Sequence, residues 1–413
     1  MNTEQSKPAL RFGEFVVLMA LMISLVALSI DTMLPALSTI GHDLGVQRPN
    51  DNQLIISLLL LGLSVGQVIY GPLSDSTGRK PAIYAGFALF IVGTLVALFS
   101  RNFSMMLAGR LLQGVGAAGP RIVSMALIRD QYQGRDMARV MSFVMAVFIL
   151  VPAVGPLFGQ TILLMAHWRA IFGVFLIMAL IAVTWFAIRQ PETLSPDRRR
   201  PFSLYRIALA IREIVTNRLA LGCTIAAGLV FGGFMGYLNS AQQIFQNQYG
   251  LGQLFPLYFS ALALAIGSAS FLNARLVVRF GMRALSSRAM QTIAGLSLLF
   301  FPIAFLLSGQ PPLWLLMIYL IVSFFCIGLL FGNLNTMAME PLGHIAGIGA
   351  AVIGSLSTFI AVMMGLVIGQ NYNGTVLPLV GGFAVLGMAA LVVLRWAVGA
   401  KTVSAEAVLE EGA

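Results

Sequence analysis

Long apolar stretches alternate with short polar breaks along almost the whole chain of 413 residues. A membrane-spanning helix needs roughly 20 predominantly apolar residues, which is about the length of most of these stretches. The stretches are continuous and lack the strict alternation of a barrel strand, so the pattern predicts about twelve spanning helices. They cover residues 15–38, 53–71, 82–100, 104–128, 138–165, 170–189, 219–244, 253–274, 288–308, 313–337, 346–370 and 377–398.

A polar segment rich in proline and arginine separates the first six spans from the last six. The pattern predicts an all-α integral membrane protein made of two pseudo-symmetric six-helix bundles. We assign 1–189 to an N-terminal bundle, 190–218 to a cytoplasmic linker, 219–400 to a C-terminal bundle and 401–413 to a cytoplasmic tail. A short amphipathic helix is expected at 203–216, inside the linker.

Composition and charge support this assignment and fix its orientation. Hydrophobic residues make up 58% of the chain and charged residues only 10%, whereas a soluble protein has roughly 25% charged residues. Of the 25 lysines and arginines, only Arg48, Arg101 and Arg169 fall in outer loops if both termini are inside, and two more lie within the membrane. Because basic loops stay in the cytoplasm, topology explains the net charge of +10 without nucleic acid as a partner.

One acidic residue stands apart from the other acids. Of 15 aspartates and glutamates, only Asp31 lies well inside an apolar span. An ionised carboxylate in lipid is costly, and such residues are functional candidates. Asp31 is therefore the candidate proton carrier, and the alternative is a structural carboxylate permanently paired with an arginine.

The polar segment between spans two and three is similar to a signature loop of the major facilitator superfamily. The matching residues are Gly71, Asp75, Gly78, Arg79 and Lys80. A fainter second copy at 273–283 places Gly281 at the position of Gly78 but Val278 at that of Asp75. The resemblance implies that Asp75 acts as a conformational latch of the inner gate. The alternative is a solvated loop whose positive charge only holds topology.

Two further segments resemble motifs of the same superfamily. In span four, Arg110 and Gln113 precede a run of small residues, and in span five a motif of drug and proton antiporters is matched imperfectly. The matching residues of span five are Pro152, Gly155, Pro156 and Gly159. The resemblance implies that Arg110 biases the proton affinity of Asp31. For span five, the alternative is a kinked packing helix without a functional role.

The bicyclomycin-resistance (Bcr/CflA) branch of multidrug exporters is the closest resemblance within the superfamily. Three stretches carry it: Asp31 with Leu34, Pro35 and Ala36; residues 246–251; and Gly343, Ala346, Gly347 and Gly354. The implied activity is proton-coupled efflux of small amphipathic compounds by alternating access. Two alternatives remain, a dedicated exporter of one metabolite or toxin and, in another class, a facilitator or non-transporting receptor.

Aromatic, amide and thioether side chains in several spans are candidates for the substrate cavity. Such groups suit a site that accepts varied amphipathic molecules, although Phe and Met in membrane helices also face lipid or pack. The candidates are Met22, Arg121, Met145, Phe148, Phe231, Phe234, Tyr237, Asn239, Gln242, Tyr258, Asn333 and Asn335. Arg121 is expected either to line the cavity or to extend toward the cytoplasm.

The sequence contains no Walker loop, nucleophile elbow or metal-ligand spacing, so we expect no enzyme activity, cofactor or metal. The expected partners are a small-molecule substrate, protons and membrane lipid, and the chain is expected to be a monomer. The expected location is the bacterial inner membrane, with multiple passes and both termini in the cytoplasm.

Overall fold

The computed structural model describes residues 10–410, apart from the side chains of Ala138, Phe148, Ile149 and residues 400–410. Regular structure in the described part is helical throughout. Two compact units meet in the chain between Ser203 and Leu204, inside the segment predicted as a linker.

The first unit contains seven α-helices. They are α1 (Phe12–Asp31), α2 (Leu37–Asp43), α3 (Leu54–Thr77), α4 (Arg79–Leu98), α5 (Phe103–Gln131), α6 (Gly134–Met165) and α7 (Arg169–Arg189). The second unit also contains seven. They are α8 (Leu204–Thr216), α9 (Arg218–Gln242), α10 (Phe255–Phe280), α11 (Met282–Leu306), α12 (Leu313–Met339), α13 (Ala346–Gln370) and α14 (Leu377–Glu410).

The predicted number of spans is confirmed. Eleven helical segments of the described chain are long and apolar enough to cross a membrane. One of them, Leu313–Gln370, is 58 residues long and comprises two helices, α12 and α13, so twelve helices of spanning length are present. The short helix expected in the linker is α8, which packs on α9 and α13 of its own unit.

Span boundaries differ most from prediction where glycine and proline interrupt helices. The span predicted at 15–38 contains α1, which ends at Asp31, and a 3₁₀ segment at Leu34–Ala36 that includes Pro35. Proline has no amide hydrogen to donate to a helix, which accounts for a break at this point. The segment predicted as a polar turn at 71–81 is mostly helical, because α3 continues to Thr77 and α4 begins at Arg79.

Small residues let α5 pack tightly between α3 and α4. The run predicted as a motif in span four places Gly114 against the Leu59 carbonyl oxygen of α3 and Gly116 against the Phe90 amide of α4. In both places a side chain would collide with the neighbouring backbone. Close backbone approach through small residues is how membrane helices gain van der Waals contact. The consequence is a rigid three-helix layer that holds Arg110.

Candidate functional site

Asp31 is buried at the C-terminal end of α1. Only 5% of the residue is exposed. Among the residues that the structure describes, no hydrogen bond or ion pair reaches its carboxylate. The neighbouring Thr32 is fully buried, and its hydroxyl also has no partner in that part of the chain. Asp31 is the last residue of α1, whereas the predicted span 15–38 had placed it inside a continuous helix.

Two glycines of the predicted antiporter motif lie against the end of α1, one of them at Asp31. A methyl group on Gly155 of α6 would lie 2.7 Å from Asp31 Cβ, and one on Gly159 would collide with the Thr32 carbonyl oxygen. Pro152 and Pro156 both lie inside the same continuous helix. The two glycines therefore bring α6 into contact with the backbone and side chain at the end of α1.

Arg110 is fully buried and joins three helices through its guanidinium. It donates to the Ser29 carbonyl of α1 at 2.7 Å, to the Ile55 carbonyl of α3 at 3.0 Å and to Gln113 Oε1 at 2.5 Å. Gln113 in turn donates to Thr94 Oγ1 of α4 at 2.9 Å. Ser29, which accepts from Arg110, lies two residues before Asp31 on α1. Among the described residues, Arg110 is held by backbone carbonyls and Gln113 and forms no ion pair with Asp31.

Other predicted cavity residues of the first unit are dispersed. Met22 is fully buried on α1 and accepts a 4.0 Å contact from the Ser124 hydroxyl. Arg121 and Met145 are partly exposed on α5 and α6. The side chain of Phe148 lies outside the described residues.

The α3–α4 junction is a charged cluster centred on Arg79. Arg79 Nη1 lies 2.6 Å from Asp75 Oδ1, and Arg79 Nε lies 2.8 Å from Asp130 Oδ2 near the end of α5. Lys80 Nζ donates to the Ala187 and Gln190 carbonyls at 3.1 and 2.7 Å, at the end of α7. Opposite charges thus hold the ends of α3, α4 and α5 together.

Gly78 allows the chain to pass from α3 into α4 at one residue. Its φ is 106°, a conformation that side-chain-bearing residues rarely adopt. Gly281 occupies the same place between α10 and α11 with a φ of 76°. The second copy lacks the acidic residue, and the nearby pair is Arg283 with Glu340 at 3.3 Å.

Glu192 is a part of this cluster that sequence analysis missed. It falls in the segment predicted as a linker, 190–218, and its carboxylate accepts from the backbone amides of Arg79 and Lys80, both at 2.9 Å. It also accepts from the amides of Thr193 and Leu194 at 2.9 and 3.0 Å. A carboxylate at the first turn of a helix accepts from amides that have no partner within the helix, and its negative charge is stabilised by the helix dipole. The stretch after α7 is thereby fixed to the start of α4.

Replacing Glu192 with glutamine is expected to lower the stability of the first unit. The side chain would keep one oxygen but present an NH₂ group to amides that need an acceptor. We expect a loss of about 1 kcal/mol, or roughly 2–4 °C in the unfolding temperature. Thermal unfolding followed by circular dichroism measures it. Asp197→Asn, an exposed acid of the same segment, is the control. Equal melting of Glu192→Gln and the wild type would contradict the assignment.

Three of the four aromatic cavity candidates of the second unit belong to one cluster, centred on Tyr237. Tyr237 is 1% exposed and packs against Phe234, Phe259 and Phe324, with ring centroids 4.7–6.4 Å apart. Tyr258 packs against Phe245, whose ring also contacts Tyr237. Phe231 pairs with Phe331. The cluster joins α9, α10 and α12.

The amide candidates of the second unit are engaged in hydrogen bonds between or within helices. Asn333 of α12 and Asn273 of α10 exchange two bonds of 3.0 Å. Gln242 donates to Gln246 Oε1 at 2.8 Å, and Asn335 donates to the Phe331 carbonyl of its own helix at 3.0 Å. Asn239 is buried at 3% exposure. Each amide thus lies where an unsatisfied polar group would be costly.

Each seven-helix unit contains six helices of spanning length and one short helix in the described chain. Together with the buried Asp31 and the interhelical bonds of Arg110, these helices define a multi-pass membrane carrier. The family model described as "Major Facilitator Superfamily" matches residues 19–366. The chain belongs to this family, as the motifs predicted, and it is a transporter of small molecules and not an enzyme.

Relatives with curated names extend the comparison. The chain is 30% identical to the uncharacterized MFS-type transporter YdgK of Bacillus subtilis, over 83% of this chain and 85% of that protein. It is 30% identical to a bicyclomycin resistance protein homolog of Haemophilus influenzae, over 88% of this chain and 91% of that protein. It is 28% identical to multidrug resistance protein D of Escherichia coli, over 88% of this chain and 90% of that protein.

Solved structures agree on the fold. The xylose transporter XylE from E. coli has a TM-score of 0.71 with 13% identity, covering 93% of this chain and 97% of that one. At this identity the likeness concerns the fold alone.

Proposed function

We propose that the chain is a proton-coupled exporter of drugs or other small amphipathic compounds that works by alternating access. The observation that supports this most is Asp31, a buried carboxylate without a partner in the described chain that is packed against Gly155. The names of its relatives, among them bicyclomycin resistance and multidrug resistance proteins, favour drugs as the cargo.

Asp31 is proposed to take a proton from the outer side and to release it inward as the substrate leaves. A buried carboxylate is costly when ionised and much less so when protonated, so a change in its access to water changes its proton occupancy. Arg110 stays charged throughout and fixes the α1 backbone beside it through the Ser29 carbonyl. The Arg79 cluster is proposed to stabilise one state of the inner gate, with Asp75 as its latch.

Substrate contact is proposed for the aromatic and amide candidates of α9, α10 and α12 and for Met22, Met145, Phe148 and Arg121. Aromatic faces with a few amides suit varied apolar molecules. We further propose a monomer in the bacterial inner membrane with both termini in the cytoplasm, in agreement with the distribution of basic residues.

Proteoliposomes with an imposed pH gradient test this function. We expect bicyclomycin and several chemically unrelated antibiotics to move against their gradients when the pH gradient is present and to stop when an ionophore collapses it. Transport of only one compound of a broad panel would favour a dedicated exporter. Downhill movement that ignores the pH gradient would overturn proton coupling and leave a facilitator.

A further inference from the structure

Helix α8 has two apolar faces, and only one of them is buried within the described part of the chain. Ile207, Ala210 and Ile214 are buried where α8 packs on α13 and α9. Leu204, Ile211 and Val215 are 72%, 42% and 49% exposed. At about 100° per residue these three lie within roughly 40° of one another and directly beside the buried face. They form an exposed apolar strip, defined here as Leu204, Ile211 and Val215.

The strip lies at one end of the spanning helices of its unit. Four spans separate the start of α9 from the start of α13, so both helices begin at the same membrane face, and α8 packs beside them. The indole ring of Trp396 is 47% exposed and lies 4.9 Å from the Arg218 guanidinium at the start of α9. Exposed tryptophan and arginine are typical of the boundary between lipid and water. The contact between Trp396 and Arg218 therefore places the boundary between lipid and water close to α8.

The charges of this segment are nearly all positive. Between residues 198 and 218 six arginines stand against one acid, Glu213. The Glu213 carboxylate is already paired with His344 at 2.9 Å. The exposed guanidinium of Arg212 lies next to the apolar strip, and no hydrogen bond or ion pair to it is present among the described residues. The free charge beside the strip is therefore cationic.

An apolar strip flanked by arginine fits the surface of an anionic membrane. Interfacial helices sink an apolar face roughly 5–10 Å into the boundary between head groups and acyl chains, and their basic residues attract anionic lipids. We propose that α8 is an interfacial helix that binds anionic phospholipid, with Leu204, Ile211 and Val215 in the lipid and Arg212 on the phosphate. The acidic carboxyl-terminal segment, with Glu406, Glu410 and Glu411, is the rival occupant that the charges also allow.

The depth of the strip is tested with an environment-sensitive fluorophore on single introduced cysteines in full-length protein. The positions are Ile211→Cys on the strip and Leu209→Cys on the opposite side, since both residues are 42% exposed. The native cysteines Cys223 and Cys326 are buried and are not expected to react in the folded protein. In vesicles of phosphatidylethanolamine and phosphatidylglycerol, brominated acyl chains should quench the label at position 211 at least twofold more than the label at 209. Equal quenching would overturn the insertion.

The charge requirement is tested by the amount of phosphatidylglycerol that the purified protein retains, measured by native mass spectrometry. Arg212→Gln should retain phosphatidylglycerol about fivefold more weakly, as expected for one arginine near an anionic surface. Arg101→Gln, an exposed arginine of a predicted outer loop, should retain it as the wild type does. Unchanged retention in Arg212→Gln would overturn the proposal.

Neutralising Glu406, Glu410 and Glu411 to glutamine separates the two occupants. If lipid covers the strip, quenching at position 211 stays the same in this triple variant. If the carboxyl-terminal segment covers it, quenching is weak in the parent protein and rises on neutralisation, and the lipid assignment fails. Neither outcome depends on proton-coupled transport.

Discussion

Asp31→Asn is expected to abolish transport driven by a pH gradient while leaving the protein folded. Asparagine has nearly the same shape and satisfies the same contact with Gly155, but it cannot bind and release a proton. Because only 5% of the residue is exposed, bulk water cannot take over the binding of the proton once the carboxylate is removed. Antibiotic uptake into proteoliposomes, measured with and without the gradient, should become equal in the variant, and circular dichroism should show an unchanged helix content.

An exposed acid provides the matched comparison for this experiment. Asp136→Asn removes a carboxylate at the first turn of α6, where the side chain is in contact with solvent. This variant should retain gradient-driven transport within about a factor of two. Gradient-driven accumulation by Asp31→Asn at the wild-type rate would show that the carboxylate is structural and that another group carries the proton.

Arg110→Gln is expected to cause the largest loss of stability among single substitutions in the first unit. It removes charge-assisted bonds to carbonyls of two other helices, at 2.7 and 3.0 Å, where the side chain is fully buried. Bonds of this kind contribute about 1.5–3 kcal/mol each. A net loss of about 3 kcal/mol corresponds to a fall of roughly 10 °C in the unfolding temperature. Transport should fall together with stability, because α1 loses its link to α5.

Arg110→Lys distinguishes charge from geometry at this site. Lysine keeps the positive charge but lacks the planar fork that reaches two carbonyls at once. We expect lysine to retain the pH dependence of transport and to recover only part of the melting temperature. Arg129→Gln, an exposed arginine in the last turn of α5, should melt as the wild type does. A variant without Arg110 that melts normally would contradict the role of the bonds to Ser29 and Ile55.

The number and type of helices could be predicted from the sequence because lipid permits few alternatives. A backbone without water must form hydrogen bonds within each helix, so runs of about 20 apolar residues specify spans directly. Helix ends were predicted less well. Helix α3 continues beyond its apolar run to Thr77, and the Ser74 and Thr77 hydroxyls there donate to carbonyls of the preceding turn. Hydropathy carries no signal for such an extension.

Buried charged residues were predictable where their chemistry is unusual in a membrane, as for Asp31 and, through the motif it resembles, Arg110. Their arrangement was not. Asp31 and Gly155 are far apart in the chain, and no local sequence pattern around either residue predicts their contact. Glu192 gave no signal among several charged neighbours, since its position at the start of α4 depends on how α7 ends.

The absence of side chains at Gly155 and Gly159 has a consequence for how a proton signal travels. The backbone of α6 lies so close to Asp31 Cβ and to the Thr32 carbonyl that no side chain fits between the two helices at these positions. We therefore expect α1 and α6 to be displaced together as one body during each cycle. A ligand that presses on α6 then changes the exposure of the Asp31 carboxylate to solvent without touching it.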